Sequence, residues 1–127
     1  MGRDKFDQGM RLRKQVLGAE YVERSMASAD EFSMPMQELS TEYCWGHVWS
    51  RPGLALRDRS LINIAMISAL NRPHELKLHV KAALNNGVTR EEIREVLLQV
   101  AIYAGIPAGV DAFRIAREAF TEVEKSD

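Results

Sequence analysis

Apolar residues recur every three or four positions along most of the chain, which is the spacing of one face of an α-helix. The alternation of apolar and polar residues that marks a half-buried strand is almost absent. We therefore predict an all-α fold, with six or seven helices in one compact bundle that forms a single domain over residues 1–127. The predicted helical segments cover about residues 3–17, 20–27, 31–50, 57–70, 73–86, 90–104 and 108–124.

Three of these segments carry more specific predictions. Residues 57–70 are apolar on nearly every side, which predicts a central helix buried on several faces. Thr89 and Glu92 are spaced as a capping box at the start of segment 90–104. In segment 31–50, large apolar residues recur at roughly helical spacing, which predicts a helix; they are Phe32, Met36, Leu39, Tyr43 and Val48.

Charge and composition exclude several classes of partner. The net charge is −1, and Lys and Arg are interleaved with Asp and Glu, which disfavours a nucleic-acid binder. The most apolar stretch, residues 61–70, is well short of the ~20 residues that span a membrane. The first residues show no secretory pattern, and the single cysteine, Cys44, cannot form an intrachain disulfide. We therefore expect a cytoplasmic protein with neither a nucleic-acid nor a membrane partner.

Glu75 and His79 are candidates for chemistry because they are four residues apart and so share a helix face. A carboxylate one turn before an imidazole can orient it and raise its basicity. The alternative is an exposed ion pair that is only solvated. His47 and His74 do not have the spacing of metal ligands relative to His79, so no metal site is expected.

A second cluster occupies residues 45–53, which end at a chain break. Trp45 and Trp49 are one turn apart and are expected to be packing anchors. Arg51 sits where the chain turns, and its guanidinium can bind a carboxylate through two parallel hydrogen bonds. The further cationic candidates are Arg57, Arg59 and Arg72.

Four stretches, in this order, resemble the carboxymuconolactone decarboxylase family: residues 45–54, residues 59–66 leading on to 75–79, residues 86–93 and residues 101–107. The resemblance extends from about residue 5 to residue 120. It implies an alkylhydroperoxidase-like all-α fold and a ring-shaped homo-oligomer, a hexamer or a trimer.

The redox branch of that superfamily uses a Cys-x-x-Cys pair followed by a histidine, with a glutamate upstream. His79 matches the histidine, but Arg72 and Glu75 occupy the cysteine positions and Ser60 occupies the glutamate position. Thiol peroxidase activity is therefore disfavoured, because it requires two thiols.

The family reaction converts 4-carboxymuconolactone to 3-oxoadipate enol-lactone in the breakdown of aromatic compounds through protocatechuate. The lactone ring accepts the electrons released with CO2, so the resemblance implies no metal or other cofactor. The protein must hold a small acidic lactone with two negative charges. Arg51 is expected to bind a carboxylate, with Arg72 as a second candidate and His47 assisting.

The resemblance also suggests the catalytic groups. His79, oriented by Glu75, is expected to return a proton to carbon, and a positioned acid typically contributes about 10²–10⁴ in rate. Ser60 is expected to donate a hydrogen bond to the growing oxyanion, and one such donor is worth about 10²–10³.

Three positions depart from the family pattern and leave alternatives open. His47 replaces a frequent Asp, Ala104 a frequent Cys and Val110 a frequent Asn. If these positions line the pocket, the substrate can have changed while the fold stayed the same. The alternatives are a paralogue that isomerises or decarboxylates a related lactone or acid, and a non-catalytic oligomeric binding protein.

Overall fold

The computed structural model describes residues 3–126, and every regular element in that range is helical, which confirms the all-α prediction. The elements are α1 (Asp4–Leu17), α2 (Ala19–Ser28), α3 (Met34–Leu39), a π-helical segment (Ser40–Trp49), α4 (Leu56–Ala69), α5 (Pro73–Asn85), α6 (Arg90–Ala104) and α7 (Ile106–Ser126). The chain divides into a first unit that ends at Ala55 and a second unit that begins at Leu56. The assignment of residues 1–127 to a single domain stays a prediction.

The second unit packs α4, α5, α6 and α7 around one aliphatic core. Each of the four helices contributes at least one fully buried side chain, so the core fixes how the helices pack on one another. The core residues are Ile64, Leu76, Val80, Ala83, Val88, Ile93, Leu97, Ala112, Ile115, Ala116 and Ala119.

Polar contacts at the helix ends reinforce this unit. The predicted capping box is confirmed: the Thr89 hydroxyl accepts from the Glu92 amide at 3.1 Å, and the Glu92 carboxylate accepts from the Thr89 amide at 2.9 Å. Arg57, at the start of α4, donates to both carboxylate oxygens of Glu92, at 2.5 and 2.6 Å. The hydrogen bonds from the Thr89 amide and from Arg57 lower the pKa of Glu92.

The first unit brings α1 and the π-helical segment together through two glycines. A Cβ atom on Gly9 would lie 2.0 Å from the Thr41 carbonyl oxygen, and one on Gly46 would lie 2.2 Å from the Lys5 carbonyl oxygen. Only glycine permits so close an approach of two backbones. Beside this contact the buried Arg13 donates from Nη1 to the Thr41 hydroxyl at 3.1 Å.

The five large apolar residues at helical spacing in residues 31–50 are all exposed, with Phe32 at 93%. Trp45 and Trp49 are buried instead, with ring centroids 4.6 Å apart, so their expected role as packing anchors is confirmed. For Tyr43 and Val48 the physical reason is the π-helical segment, whose i to i+5 hydrogen bonds change the residue spacing that places side chains on one face.

The prediction that segment 57–70 is buried on several faces is wrong. Only Ser60, Ile64 and Ser68 are buried in this segment, while Met66 and Leu70 are at least half exposed. One face of α4 packs on the core, and its opposite side forms an open apolar groove with α6. No helix within residues 3–126 is long and apolar enough to cross a membrane.

Candidate active site

Two polar pairs connect α4 with α5 and with the residue that follows α5. Asn86, which follows the last residue of α5, donates from its side-chain amide to the Ser60 hydroxyl at 2.9 Å. Asn63 Nδ2 lies 3.4 Å from Nδ1 of His79. Ser60 and Asn63 are three residues apart on α4 and therefore share a face. These four residues are called the α4–α5 polar contact below.

His79 is half-buried, and its burial lowers the pKa of the imidazole to about 4. The side chain is therefore neutral at pH 7 in the free protein. The sequence hypothesis expected Glu75 to raise the basicity of His79, whereas the pKa shift found here has the opposite direction and burial as its cause. Glu75 is exposed on the first turn of α5. Its proposed role in orienting the imidazole stays a prediction.

Ser60 has no exposed surface. Its hydroxyl oxygen accepts from Asn86, and a serine hydroxyl that accepts one hydrogen bond still has its own hydrogen to donate. A substrate oxygen would reach that hydrogen only after a local movement of the neighbouring side chains. The Ser60 hydroxyl can therefore donate to an oxyanion only after this movement, and its role as an oxyanion donor stays a prediction.

The predicted substrate-binding residues are distributed over both units. Arg72, at the start of α5, is exposed and donates from Nη1 to the Leu70 carbonyl oxygen at 3.2 Å. In the first unit, the exposed His47 stacks on Tyr43, with ring centroids 5.0 Å apart and planes inclined by 16°. Arg51 is exposed just beyond the π-helical segment.

Two open pockets of the second unit differ in their chemistry. The groove between α4 and α6 has no charged side chain among its lining residues and therefore offers no cation to pair with a dianion. A pocket of about 360 Å³ between α6 and α7 is lined by three arginines and two glutamates, namely Arg90, Arg94, Arg117, Glu91 and Glu124. Arg90 is partly neutralised by Glu124 at 2.5 Å. The sequence analysis did not single out this cationic pocket, although Arg90 and Arg94 are four residues apart and share a face of α6.

The model of the carboxymuconolactone decarboxylase family matches residues 35–118. The chain belongs to this family. It is 41% identical over 119 residues to a 4-carboxymuconolactone decarboxylase of Acinetobacter baylyi, which covers 94% of this chain and 89% of the relative. It is 44% identical over 118 residues to a nitrosuccinic acid decarboxylase of Metarhizium robertsii, which covers 93% of this chain and 82% of the relative.

The three departures from the carboxymuconolactone decarboxylase pattern lie on accessible surfaces. His47 is exposed in the first unit, Ala104 lines the apolar groove between α4 and α6, and Val110 is 62% exposed on α7. The α4–α5 polar contact contains none of them. Its two amides, Asn63 and Asn86, were not predicted as site residues, although an amide in an apolar helix must find a hydrogen-bond partner.

Proposed function

We propose that this family member is a decarboxylase that needs no cofactor, and that 4-carboxymuconolactone is its first candidate substrate. The product would be 3-oxoadipate enol-lactone, formed in the breakdown of aromatic compounds through protocatechuate. The observation that carries the proposal is the 41% identity, over 94% of the chain, to a decarboxylase named for that lactone. The imidazole of His79 and the hydroxyl of Ser60, both in the α4–α5 polar contact, support the proposal as candidate groups for the chemistry.

A second candidate is the decarboxylation of nitrosuccinic acid, which the 44% identity to a decarboxylase of that acid favours. Both substrates carry two carboxylates and an electron-withdrawing group, a lactone carbonyl in one and a nitro group in the other. Loss of CO2 leaves an electron pair that this group can accept. In either case the protein must hold a dianion, stabilise the growing negative charge and return one proton to carbon.

Arg51 is proposed to hold a carboxylate, with Arg72 as the second candidate and His47 assisting. A guanidinium can pair with a carboxylate through two parallel hydrogen bonds, which fixes the orientation of the substrate as well as its charge. The carboxylate that leaves should be the one less tightly paired, since a strong ion pair there would stabilise the ground state.

His79 is the proposed proton donor, oriented by Glu75, and Ser60 is the proposed donor to the growing oxyanion. Because the pKa of His79 is about 4 in the free protein, the imidazole does not carry an extra proton before substrate arrives. A bound dianion would favour the charged form and raise this pKa. Substrate binding and proton uptake would then be coupled.

We also place this protein in the cytoplasm as a homo-oligomer, a trimer or a hexamer. What supports assembly is the apolar surface that α4, α6 and α7 expose, which includes Met66, Ile102 and Tyr103. Light scattering after gel filtration should give a mass of three or six chains. Ile102→Glu should reduce that mass, whereas Phe32→Glu, at a more exposed apolar position of the first unit, should leave it unchanged. A monomer would contradict the proposal.

The first experiment mixes the purified protein with 4-carboxymuconolactone and, in parallel, with nitrosuccinate, and follows CO2 release without any added cofactor. Rapid release from the lactone supports the main proposal. Release from nitrosuccinate alone supports the second candidate and makes His47, Ala104 and Val110 marks of a changed substrate. Binding of these acids without release from a folded protein would contradict both and favour a binding protein.

Variants then test the residue roles. His79→Ala should lower kcat by about 10²–10⁴ if His79 is the proton donor. Arg51→Ala and Arg72→Ala should raise KM. Arg117→Ala is the matched control, because it removes a guanidinium from the α6–α7 pocket. If KM rose in Arg117→Ala and not in the other two variants, the substrate would have to bind in the α6–α7 pocket.

A further inference from the structure

Asn63 is an unusual residue for its place in the fold. It lies half-buried in the middle of α4, between the exposed Ile62 and the fully buried Ile64. Asparagine is a poorer helix former than the aliphatic residues around it, because its side chain competes for backbone hydrogen bonds. A half-buried amide at this position therefore needs a partner, and the structure gives it one: Nδ1 of His79, 3.4 Å from Asn63 Nδ2.

This contact has a consequence for the imidazole. The Nδ2 group of an asparagine has only hydrogens to offer, so the ring nitrogen that faces it must accept. In a neutral imidazole one nitrogen accepts and the other carries the hydrogen, and the partner of one nitrogen decides the state of the other. With Nδ1 of His79 as acceptor, the hydrogen is on Nε2.

We propose that Asn63 is a positioning residue that holds His79 in the tautomer protonated at Nε2. The proposal rests on the function proposed above in one respect, namely that Nε2–H is the group directed at the charge that develops on the substrate. It concerns the protein before substrate binds, since a charged imidazole carries a hydrogen on each ring nitrogen and Nδ1 then no longer accepts from Asn63. It extends that function by assigning a residue on α4 a role that acts only through His79. The low pKa of His79 agrees with a ring that is neutral at pH 7.

An asparagine suits this role better than the residues that resemble it. An aspartate at the same position would accept from Nδ1–H and so favour the opposite tautomer or the charged imidazole. An alanine would remove this hydrogen bond to Nδ1 and so weaken the preference for the tautomer protonated at Nε2. Asparagine, aspartate and alanine at position 63 are therefore expected to give three different distributions of protons on the His79 ring.

The test is nuclear magnetic resonance of protein labelled with 15N-histidine at pH 7, without substrate. The chain has three histidines, so the ring nitrogens are few enough to assign. We expect His79 to be protonated at Nε2 in the wild type, to show a larger share of the tautomer protonated at Nδ1 in Asn63→Ala, and to be protonated at Nδ1 in Asn63→Asp. The ring of the exposed His74, on the same helix as His79, should be the same in all three proteins.

Ser68→Ala is the matched control, because it also removes a polar group from α4. It should leave the His79 tautomer as in the wild type. A wild-type His79 protonated at Nδ1, or an unchanged tautomer in both Asn63 variants, would overturn the proposal. So would a change in Ser68→Ala equal to that in Asn63→Ala, since it would show a general loosening of the helix.

Turnover gives a second readout. Asn63→Ala should lower kcat by about tenfold, a part of the 10²–10⁴ that a positioned acid contributes, and leave KM within about a factor of two. Failure of the proposed function appears as absent turnover in the wild type, whereas the tautomer measurement needs no turnover. The two failures are therefore distinguishable.

Discussion

The two units of the chain are stabilised by different kinds of contact. The second unit encloses a continuous aliphatic core to which α4, α5, α6 and α7 all contribute. The first unit has no comparable core among its described residues, and its buried groups include two glycines, Gly9 and Gly46, the charged Arg13 and the tryptophans Trp45 and Trp49. Close backbone approach in one unit therefore takes the place that aliphatic packing holds in the other.

The two kinds of contact differ in how well they tolerate a substitution. An aliphatic core loses free energy in proportion to the methylene groups removed, and it can relax around a smaller side chain. A contact between two backbones at a glycine cannot relax in this way, because an added Cβ meets backbone atoms that are fixed by their own hydrogen bonds. The first unit should thus be the more sensitive to a single added methyl group.

The largest expected effect follows from Gly9→Ala. The new Cβ would lie 2.0 Å from the Thr41 carbonyl oxygen and 2.7 Å from the Gly46 nitrogen, so α1 must move. We expect the free energy of unfolding to fall by at least about 3 kcal/mol. Urea titration followed by tryptophan fluorescence measures this in the first unit, since Trp45 and Trp49 both belong to it.

Gly53→Ala is the matched control, because a Cβ on Gly53 meets no atom within 4 Å. It should change the free energy of unfolding by no more than about 0.5 kcal/mol. Equal urea midpoints for the two variants would show that the close contact of α1 with the π-helical segment does not limit stability.

The same difference explains what the sequence could predict. The helices of the second unit follow regular apolar spacing. The capping pair Thr89 and Glu92 predicts the start of α6 from neighbouring residues alone. The π-helical segment of the first unit differs from an α-helix by one residue in its hydrogen-bond spacing, which an apolar pattern does not resolve. The contact at Gly9 depends on which helix crosses α1, and that is a tertiary property.

The residues of the candidate site also differ in whether the sequence could predict them. His79 was found because the family resemblance and the spacing from Glu75 both pointed to it. Asn63 and Asn86 were missed because their roles depend on the register between α4 and α5, which joins residues 16 and 26 positions apart. The sequence shows which residue types lie along one helix. This site is defined by pairs of residues on two different helices, which the sequence does not show.

The second largest effect is a loss of folding stability at low pH. His79 has a pKa of about 4 in the folded protein and an ordinary value of 6.5 when exposed, so the unfolded chain binds the proton first as the pH falls. Stability is therefore fully present above pH 6.5 and is lost between pH 6.5 and pH 4. The loss should approach about 3 kcal/mol in this window. Urea midpoints at pH 7 and pH 4.5 measure it.

His79→Gln should flatten this dependence, because glutamine does not titrate. His74→Gln, at an exposed position of the same helix, should leave the dependence as in the wild type. If His79→Gln lost stability with acid as steeply as the wild type, the acid sensitivity would have to come from other groups. The carboxylate of Glu122, whose pKa is lowered to about 2 by hydrogen bonds from Lys77 and Lys81, responds only at lower pH.

A smaller effect is expected at the start of α6. Thr89→Ala removes the hydroxyl that accepts from the Glu92 amide at 3.1 Å. The loss of an N-cap side chain should lower the free energy of unfolding by about 1 kcal/mol. Thr121→Ala is the control, because the hydroxyl of Thr121 is exposed and donates to the Arg117 carbonyl oxygen within α7. Equal losses in the two variants, measured by urea titration with circular dichroism, would contradict a specific role of the capping box.

The smallest effect should have the opposite sign. The Ser68 hydroxyl is buried on α4 and has no hydrogen-bond partner among the described residues. Ser68→Ala removes this unpaired group and adds a better helix former, so the free energy of unfolding should be unchanged or rise by up to about 1 kcal/mol. Ser60→Ala also removes a buried hydroxyl of α4, but this one accepts from Asn86, so stability should fall by about 1–2 kcal/mol. A loss in Ser68→Ala as large as that in Ser60→Ala would show that the Ser68 hydroxyl is paired in solution, and the two positions would then no longer differ.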